Sequence, residues 1–313
     1  MDGAGNTIIN QNPRRGTSGL RRCLGTLAVL GVAAPVALAA MAGPADAAQP
    51  AFGHVATIYL PGAAGDVYAQ AVAVDSDTNR IYAANSLGND IVVIDGKTDK
   101  IVANIKGVKG PEDVAVDQAT DTIYTANIGP AIRPGSVSVV SGVTHKLTAT
   151  IKVGQYPQGI AVNPATGTVY VANLGNGTPS SGSVSVINGA TSTVTGKIAI
   201  KVPLFVAANP VTNTVYISAF GHQGVVAVDG ATDKITATIP RRKIVESVAV
   251  DQATDQVYTA YPWMGKIDGK TNTWLGSLPF PVNINPQSVA VDAATGRVYG
   301  ADGPSGAVSV VNG

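Results

Sequence analysis

The sequence predicts an all-β fold, a single β-propeller of six four-stranded blades, and three observations lead there. A phrase recurs six times, from Val72, Val114, Ile160, Val206, Val248 and Val289, as in VAVDSDTNRIYAAN and IAVNPATGTVYVAN. Its tyrosines, Tyr82, Tyr124, Tyr170, Tyr216, Tyr258 and Tyr299, are spaced 42, 46, 46, 42 and 41 residues apart. That is the length of one propeller blade and too long for a helical hairpin repeat of about 34 residues. Second, Asp95-Gly96, Asn188-Gly189, Asp229-Gly230 and Asp268-Gly269 each follow an apolar run. Such pairs signal β-hairpins, because Gly accepts positive φ and Asn or Asp tolerates it. Third, the chain is 45% hydrophobic and only 13% charged, with 36 glycines and no helical periodicity, which points to a packed all-β protein rather than to disorder.

In the first repeat the strands are Val72–Val74, Ile81–Ala84, Ile91–Ile94 and Ile101–Ile105, counted from the ring axis outward. They are rich in Val, Ile, Thr and Tyr without clean polar alternation, as expected of a sheet covered on both faces by neighbouring blades. Small residues at Ala73, Ala115, Ala161, Ala249 and Ala290 allow close approach near a crowded axis. The sixth repeat stops at Val310-Val311-Asn312-Gly313 and lacks a fourth strand. His54-Val55-Ala56-Thr57-Ile58 aligns with Ile101–Ile105 and Ile235–Ile239, so the N-terminal strand is expected to complete the last blade and close the ring.

Residues 1–47 are of a different kind. Arg14, Arg15, Arg21 and Arg22 precede an uncharged apolar stretch from Cys23 to Gly43, and Ala45-Asp46-Ala47 supplies a small-x-small cleavage pattern. We read an export signal over 1–47, cut after Ala47, and a propeller domain over 48–313. About 20 apolar residues could instead remain as a membrane anchor, but Pro35 and the cleavage pattern favour removal and leave no stable membrane span. The paired arginines permit a twin-arginine route beside the general one. Cleavage removes the only Cys and shifts the formal charge from +1 to −1, since the segment holds four arginines and two aspartates. A secreted or cell-surface protein without disulfides follows, with no basic field for nucleic acid.

The repeat resembles the YVTN family of bacterial β-propeller repeats, on Val169-Tyr170-Val171-Ala172-Asn173 and, more loosely, Ile81-Tyr82-Ala83-Ala84-Asn85. The resemblance spans residues 54–313. It implies the propeller, and functions that range over surface layers, exported binding proteins, lactonases and cofactor-bearing oxidoreductases. Family members with seven blades make a seventh, decayed repeat the alternative to six.

Residues repeated in every blade are read as scaffold: the six tyrosines, and the Asp or Asn at 75, 117, 163, 209, 251 and 292 with a Thr three later. Their oxygens belong to six separate turns rather than to one calcium loop. Function is sought where the repeat lapses. Three residues after the blade Tyr come Asn85, Asn127, Asn173, Ala219, Tyr261 and Asp302. Phe220, Tyr261, His222 and Trp263 follow in blades four and five. Two residues before each first strand stands a ring of Gln70, Glu112, Gln158, Leu204, Glu246 and Gln287, which includes both glutamates of the chain.

This ring is either a set of solvated strand-start residues or a polar channel mouth with Leu204, Phe205, Phe220, Tyr261 and Trp263 as an apolar wall. The second reading expects an exported monomer that binds a protein, glycan or small molecule at Gln70, Glu112, Gln158, Leu204, Phe205, Phe220, Tyr261, Trp263 and Gln287, with no cofactor. Its alternative is a lactonase-like hydrolase or lyase that uses Glu112, Glu246 and His222, with calcium as the one candidate ion. No zinc, haem, Ser-His-Asp or phosphate-loop pattern stands in the sequence.

Overall fold

Each first hairpin is built by the Asp or Asn of the repeated phrase. Its side-chain oxygen accepts the N–H two residues on: Asp75 from Asp77, Asp117 from Ala119, Asn163 from Ala165, Asn209 from Val211, Asp251 from Ala253 and Asp292 from Ala294, all at 2.9–3.1 Å. Four residues after the Asp or Asn stand Asn79, Asp121, Gly167, Asn213, Asp255 and Gly296, with φ between 48° and 67°. Only Gly or a short polar side chain takes that left-handed turn readily. The turn therefore writes itself into the sequence six times.

The structure is a computed structural model that describes residues 58–62, 68–128, 134–178, 180–220, 224–241, 244–260, 263–278, 286–302 and 307–313. Among these residues there is no helix, and six antiparallel sheets form the six blades of a β-propeller. Blade 1 is β1 (Ala69–Asp75), β2 (Arg80–Asn85), β3 (Asp90–Asp95) and β4 (Lys100–Lys106). Blade 2 is β5 (Pro111–Asp117), β6 (Thr122–Asn127), β7 (Pro134–Ser141) and β8 (Lys146–Gln155). Blade 3 is β9 (Pro157–Asn163), β10 (Thr168–Asn173), β11 (Ser183–Asn188) and β12 (Thr193–Ala199). Blade 4 is β13 (Pro203–Asn209), β14 (Thr214–Ala219), β15 (Gly224–Asp229) and β16 (Lys234–Ile239). Blade 5 is β17 (Ser247–Asp251), β18 (Gln256–Ala260), β19 (Gly265–Asp268) and β20 (Thr273–Ser277). Blade 6 holds β21 (Ser288–Asp292), β22 (Arg297–Asp302) and β23 (Ala307–Asn312), three strands among the described residues.

Inner strands of successive blades, β1, β5, β9, β13, β17 and β21, lie side by side. The core is therefore a set of inter-blade layers rather than one centre. Between blades 1 and 2, for example, Tyr82, Ala84, Ile91 and Val93 pack on Val114, Ile123 and Val140. At the outer end of each layer an apolar residue from the fourth strand, or just after it, closes the seam: Ile105, Ile151, Ile198, Ile239 and Leu278. The sixth copy of that position is Ile58, which packs with Leu60 on Ala83, Val92 and Ile94 of blade 1. The chain just before blade 1 thus fills the place of a fourth-strand residue in the layer between blades 6 and 1. The rest of the closing segment, His54 to Thr57, lies outside the described residues, as does the export signal.

Tyrosine and hairpin glycine latch the blades together. Tyr170 Oη donates to Gly230 O at 3.4 Å, and Tyr216 Oη to Gly269 O at 3.3 Å, each in the following blade. A Cβ at Gly189 would sit 2.7 Å from Tyr124 Oη, and one at Gly313 would strike Tyr258 Oη. Burial pushes the phenols of Tyr82 and Tyr170 up to about 12, so they remain neutral donors.

Strand alternation places the Asp-x-x-Thr turns and the third-to-fourth-strand hairpins on one face of the ring. Inner-strand starts and the second-to-third-strand loops share the other. The uniform turns are on the first face and the departures from the repeat on the second.

Candidate functional site

At four of the six ring positions the inner strand starts with a β-bulge or register shift. In blade 1, Ala69 pairs with Asn85 and Ala71 with Ala84, so Gln70 is the extra residue. Glu112 is skipped in the same way between Pro111 and Asp113, and Gln158 between Pro157 and Gly159. In blade 4 the irregularity spans Leu204 and Phe205. A bulge frees a residue from strand alternation and re-aims its side chain.

Backbone strain accompanies the bulges. Tyr156 and Val202 have φ of 50° and 49°, at the position where blade 2 has Gly110 at 61°. Left-handed geometry is a true outlier for a β-branched residue such as Val202. It persists because the carbonyls of Gly110, Tyr156 and Val202 accept the N–H groups of Ile128, Leu174 and Phe220 at 2.9–3.1 Å, extending the inner pairing by one bond.

Four of the six ring residues are buried. Gln158 is 4% exposed, and Gln70, Leu204 and Glu246 are buried as well. Glu112, half-buried, accepts a bond from Ser86 Oγ at 3.2 Å. Gln287 is half-buried, and its Oε1 has no hydrogen-bond partner among the described residues. No Lys or Arg occupies a ring position. Burial accordingly pushes the Glu246 carboxyl up to about 7.

Asp113 is the residue that sequence reasoning missed. Its Oδ2 accepts the N–H of Ile160 in the next blade at 2.9 Å, and its Oδ1 the N–H of Val114 at 2.9 Å. Burial outweighs both bonds and, with the nearby Glu112 charge adding to it, raises the carboxyl to about 7. Ser247 Oγ does the same neutral work in blade 5, accepting the N–H of Val289 at 3.3 Å. The column just before the first-strand Val or Ile reads Ala71, Asp113, Gly159, Phe205, Ser247 and Ser288. One acid in an otherwise uncharged column was the available signal. Glu112 and Glu246 stand in blades 2 and 5, three blades apart, which in a six-bladed ring are opposite sides of the axis.

The apolar wall divides. Leu204 is buried in the ring, and Phe220 and Trp263 are 41% and 52% exposed on the same face as the ring. Phe205 instead packs against the core between blades 4 and 5, and Ser218 Oγ accepts its N–H at 3.0 Å. It supplies structure rather than a wall. Leu87, 54% exposed in the matching loop of blade 1, joins the apolar residues of that face. Tyr261 and His222 lie outside the described residues, as do Ile132 and Arg133 of the long blade-2 loop.

The amide residues three after the blade Tyr are scaffold. Asn127 donates to Ser138 Oγ at 2.9 Å, and Asn173 to Ser185 Oγ at 3.0 Å and to Ser183 O at 3.1 Å. Asn85 accepts the N–H of Tyr68 at 2.9 Å. Asn173 Oδ1 has no hydrogen-bond partner among the described residues. Among the described residues no three His, Cys, Asp or Glu side chains converge for a metal.

No family model and no curated protein matches this chain. Among solved structures, Kuenenia stuttgartiensis hydrazine synthase superposes with a TM-score of 0.57 over 83% of this chain and 99% of that chain, at 16% identity. At that identity the likeness is one of fold. No helix among the described residues is long and apolar enough to cross a membrane.

Proposed function

We propose that the chain is an exported β-propeller of the YVTN type that binds a polar ligand at the channel mouth. The observation that carries this reading is the bulged ring. Gln70, Gln158 and Glu246 are buried polar residues placed by departures from regular pairing or at a strand start. Of the ring atoms, Gln287 Oε1 has no hydrogen-bond partner among the described residues, and such an atom gains a hydrogen bond when a ligand supplies one. The absence of Lys and Arg from the ring disfavours anions, so neutral or cationic ligands rich in hydroxyl or amino groups fit best. Phe220, Trp263 and Leu87 give the same face an apolar rim, which suits a sugar ring or an extended polypeptide. The protein acts as a monomer without nucleic acid or a membrane span.

A thermal-shift screen of the full chain against neutral oligosaccharides, amino compounds and calcium tests this reading. A ligand at about 100 times its Kd adds about 2.7 kcal/mol of stability. We expect one class to raise the Tm of the wild type and not that of a Gln158→Ala, Glu246→Gln double variant. Equal shifts in both proteins would overturn the assignment.

The specific observation behind an enzymatic reading is a pair of carboxyls, Asp113 and Glu246, both held near 7, where an acid can give or take a proton at neutral pH. In that reading Glu246 is the general acid or base of a hydrolase or lyase. Glu246→Gln would then abolish turnover and leave binding in place, whereas in the binding reading it weakens binding.

A further inference from the structure

On the face opposite the channel mouth, the Asp or Asn that opens the hairpin turn of one blade meets the left-handed turn residue of the next. Between blades 3 and 4 the pair is Asn163 and Asn213, with Asn163 Nδ2 donating to Asn213 Oδ1 at 2.8 Å. Between blades 4 and 5 it is Asn209 and Asp255, with Asn209 Nδ2 donating to Asp255 Oδ1 at 2.7 Å. Between blades 2 and 3, and between blades 5 and 6, Asp117 and Asp251 face Gly167 and Gly296, which bring no side chain. The repeat thus pairs an amide with an acid or amide, or an acid with nothing.

The seam between blades 1 and 2 breaks this rule. There the corresponding positions are Asp75 and Asp121, two acids with no amide proton to donate, and the charge of Asp75 acts on Asp121. Asp75 is fully buried, and its Oδ1 is already used by the N–H groups of Asp77 and Thr78. The remaining oxygen, Asp75 Oδ2, and the Asp121 Oδ1 atom are both buried and have no hydrogen-bond partner among the described residues. These are the atoms whose counterparts at the other two seams are joined by a hydrogen bond.

We propose that Asp121 carries a proton that it donates to Asp75 Oδ2, and that this contact makes the seam between blades 1 and 2 a pH-sensitive joint. With the proton in place, one carboxyl donates to the other and restores the hydrogen bond of the sister seams. Without it, two like charges face each other at a seam where Asp75 is fully buried. The groups around the pair agree with this. Burial and the Asp75 charge raise the Asp121 carboxyl above its ordinary value, and His145 on the β7–β8 hairpin opposes the rise. Tyr82 of β2 stands near both acids and stays protonated. Arg80 is engaged by Asp95.

An acid whose folded pKa is raised contributes stability that is fully present where the unfolded chain is also protonated. That contribution is lost as pH rises through the folded value. The seam is therefore tight in acid and loosens towards neutral and alkaline pH.

The test is the Tm of the full chain from about pH 4 to about pH 9, for the wild type, Asp75→Asn and Asp121→Asn. Asparagine preserves the turn at both positions, since Asn163, Asn209, Asn79 and Asn213 fill the same places in sister blades. Each variant supplies an amide donor that does not titrate. We expect both to gain several degrees over the wild type at the alkaline end and to match it within about a degree at the acid end. Three results would overturn the proposal. One is a wild-type profile whose slope neither variant changes, and another is variants less stable than wild type at all pH values. The third is stabilisation of the wild type, but of neither variant, by millimolar calcium or magnesium, which would put a metal ion in the place of the proton.

Discussion

Val202 sits in a left-handed conformation that a β-branched residue resists, and it does so beside the ring to which we assign binding. Gly110 occupies the same place in blade 2 at no such cost. Val202→Gly should therefore raise stability by about 1 kcal/mol in a denaturant titration, the relief of strain exceeding the entropy of the added glycine. The two carboxyls held near 7 make a second prediction at this scale. Because burial raises both folded values, their contribution is complete in acid and is lost as pH rises through about 7. Glu246→Gln should remove the part of the stability decline centred there, as followed by Tm against pH, and leave any decline due to Asp75 and Asp121 in place. Glu246 was legible because glutamate occurs only twice in the chain. Asp113 was not, because its meaning depends on Ile160, 47 residues away in the chain and one blade over in space.

Elements in this protein are held by contacts between like positions of neighbouring blades. Glycine at 269 is one example: a Cβ there would lie 2.6 Å from Tyr216 Oη and 2.4 Å or more from the Asp255 backbone and side chain. Gly269→Ala should cost about 1–3 kcal/mol by overpacking, visible as a lower denaturation midpoint at unchanged slope. Gly276 offers the matched contrast in space, since nothing lies within 4 Å of a Cβ there, although its φ of 143° leaves a residual backbone cost. Strand number, order and hairpin positions were all readable, because Asp-x-x-Thr and Asp-Gly turns are local chemistry that needs no partner to be recognised. Bulges at Gln70, Glu112 and Gln158 were not readable. They arise from how the strand start is paired with the end of the second strand, and a sequence window of one strand does not contain that pairing.

For the ring as a whole, closure is the decisive event. Ile58 and Leu60 pack on blade 1 in the place that Ile105 and its counterparts take in the other seams. Removing residues 1–62 should therefore lower the Tm by several degrees and promote association, because it uncovers Ala83, Val92 and Ile94. Removing residues 1–47 alone should leave the Tm unchanged. Scanning calorimetry and light scattering on the two truncations distinguish them. The alignment of the N-terminal segment with the outer strands already pointed to this closure, and Ile58 shows the part of it that the described residues reach.

By itself, the sequence determined the class of fold, the number of blades and the register of nearly every hairpin. Those properties are encoded in turn residues and apolar runs that act over a few positions and are copied six times. Only the tertiary structure decided which polar residues are buried, that Phe205 belongs to the core, and that the Asp113 and Asp121 carboxyls are raised. Burial and charge pairing in a propeller arise across seams between residues about 40 positions apart. A repeat read along the chain shows each blade, but not what one blade does to the next.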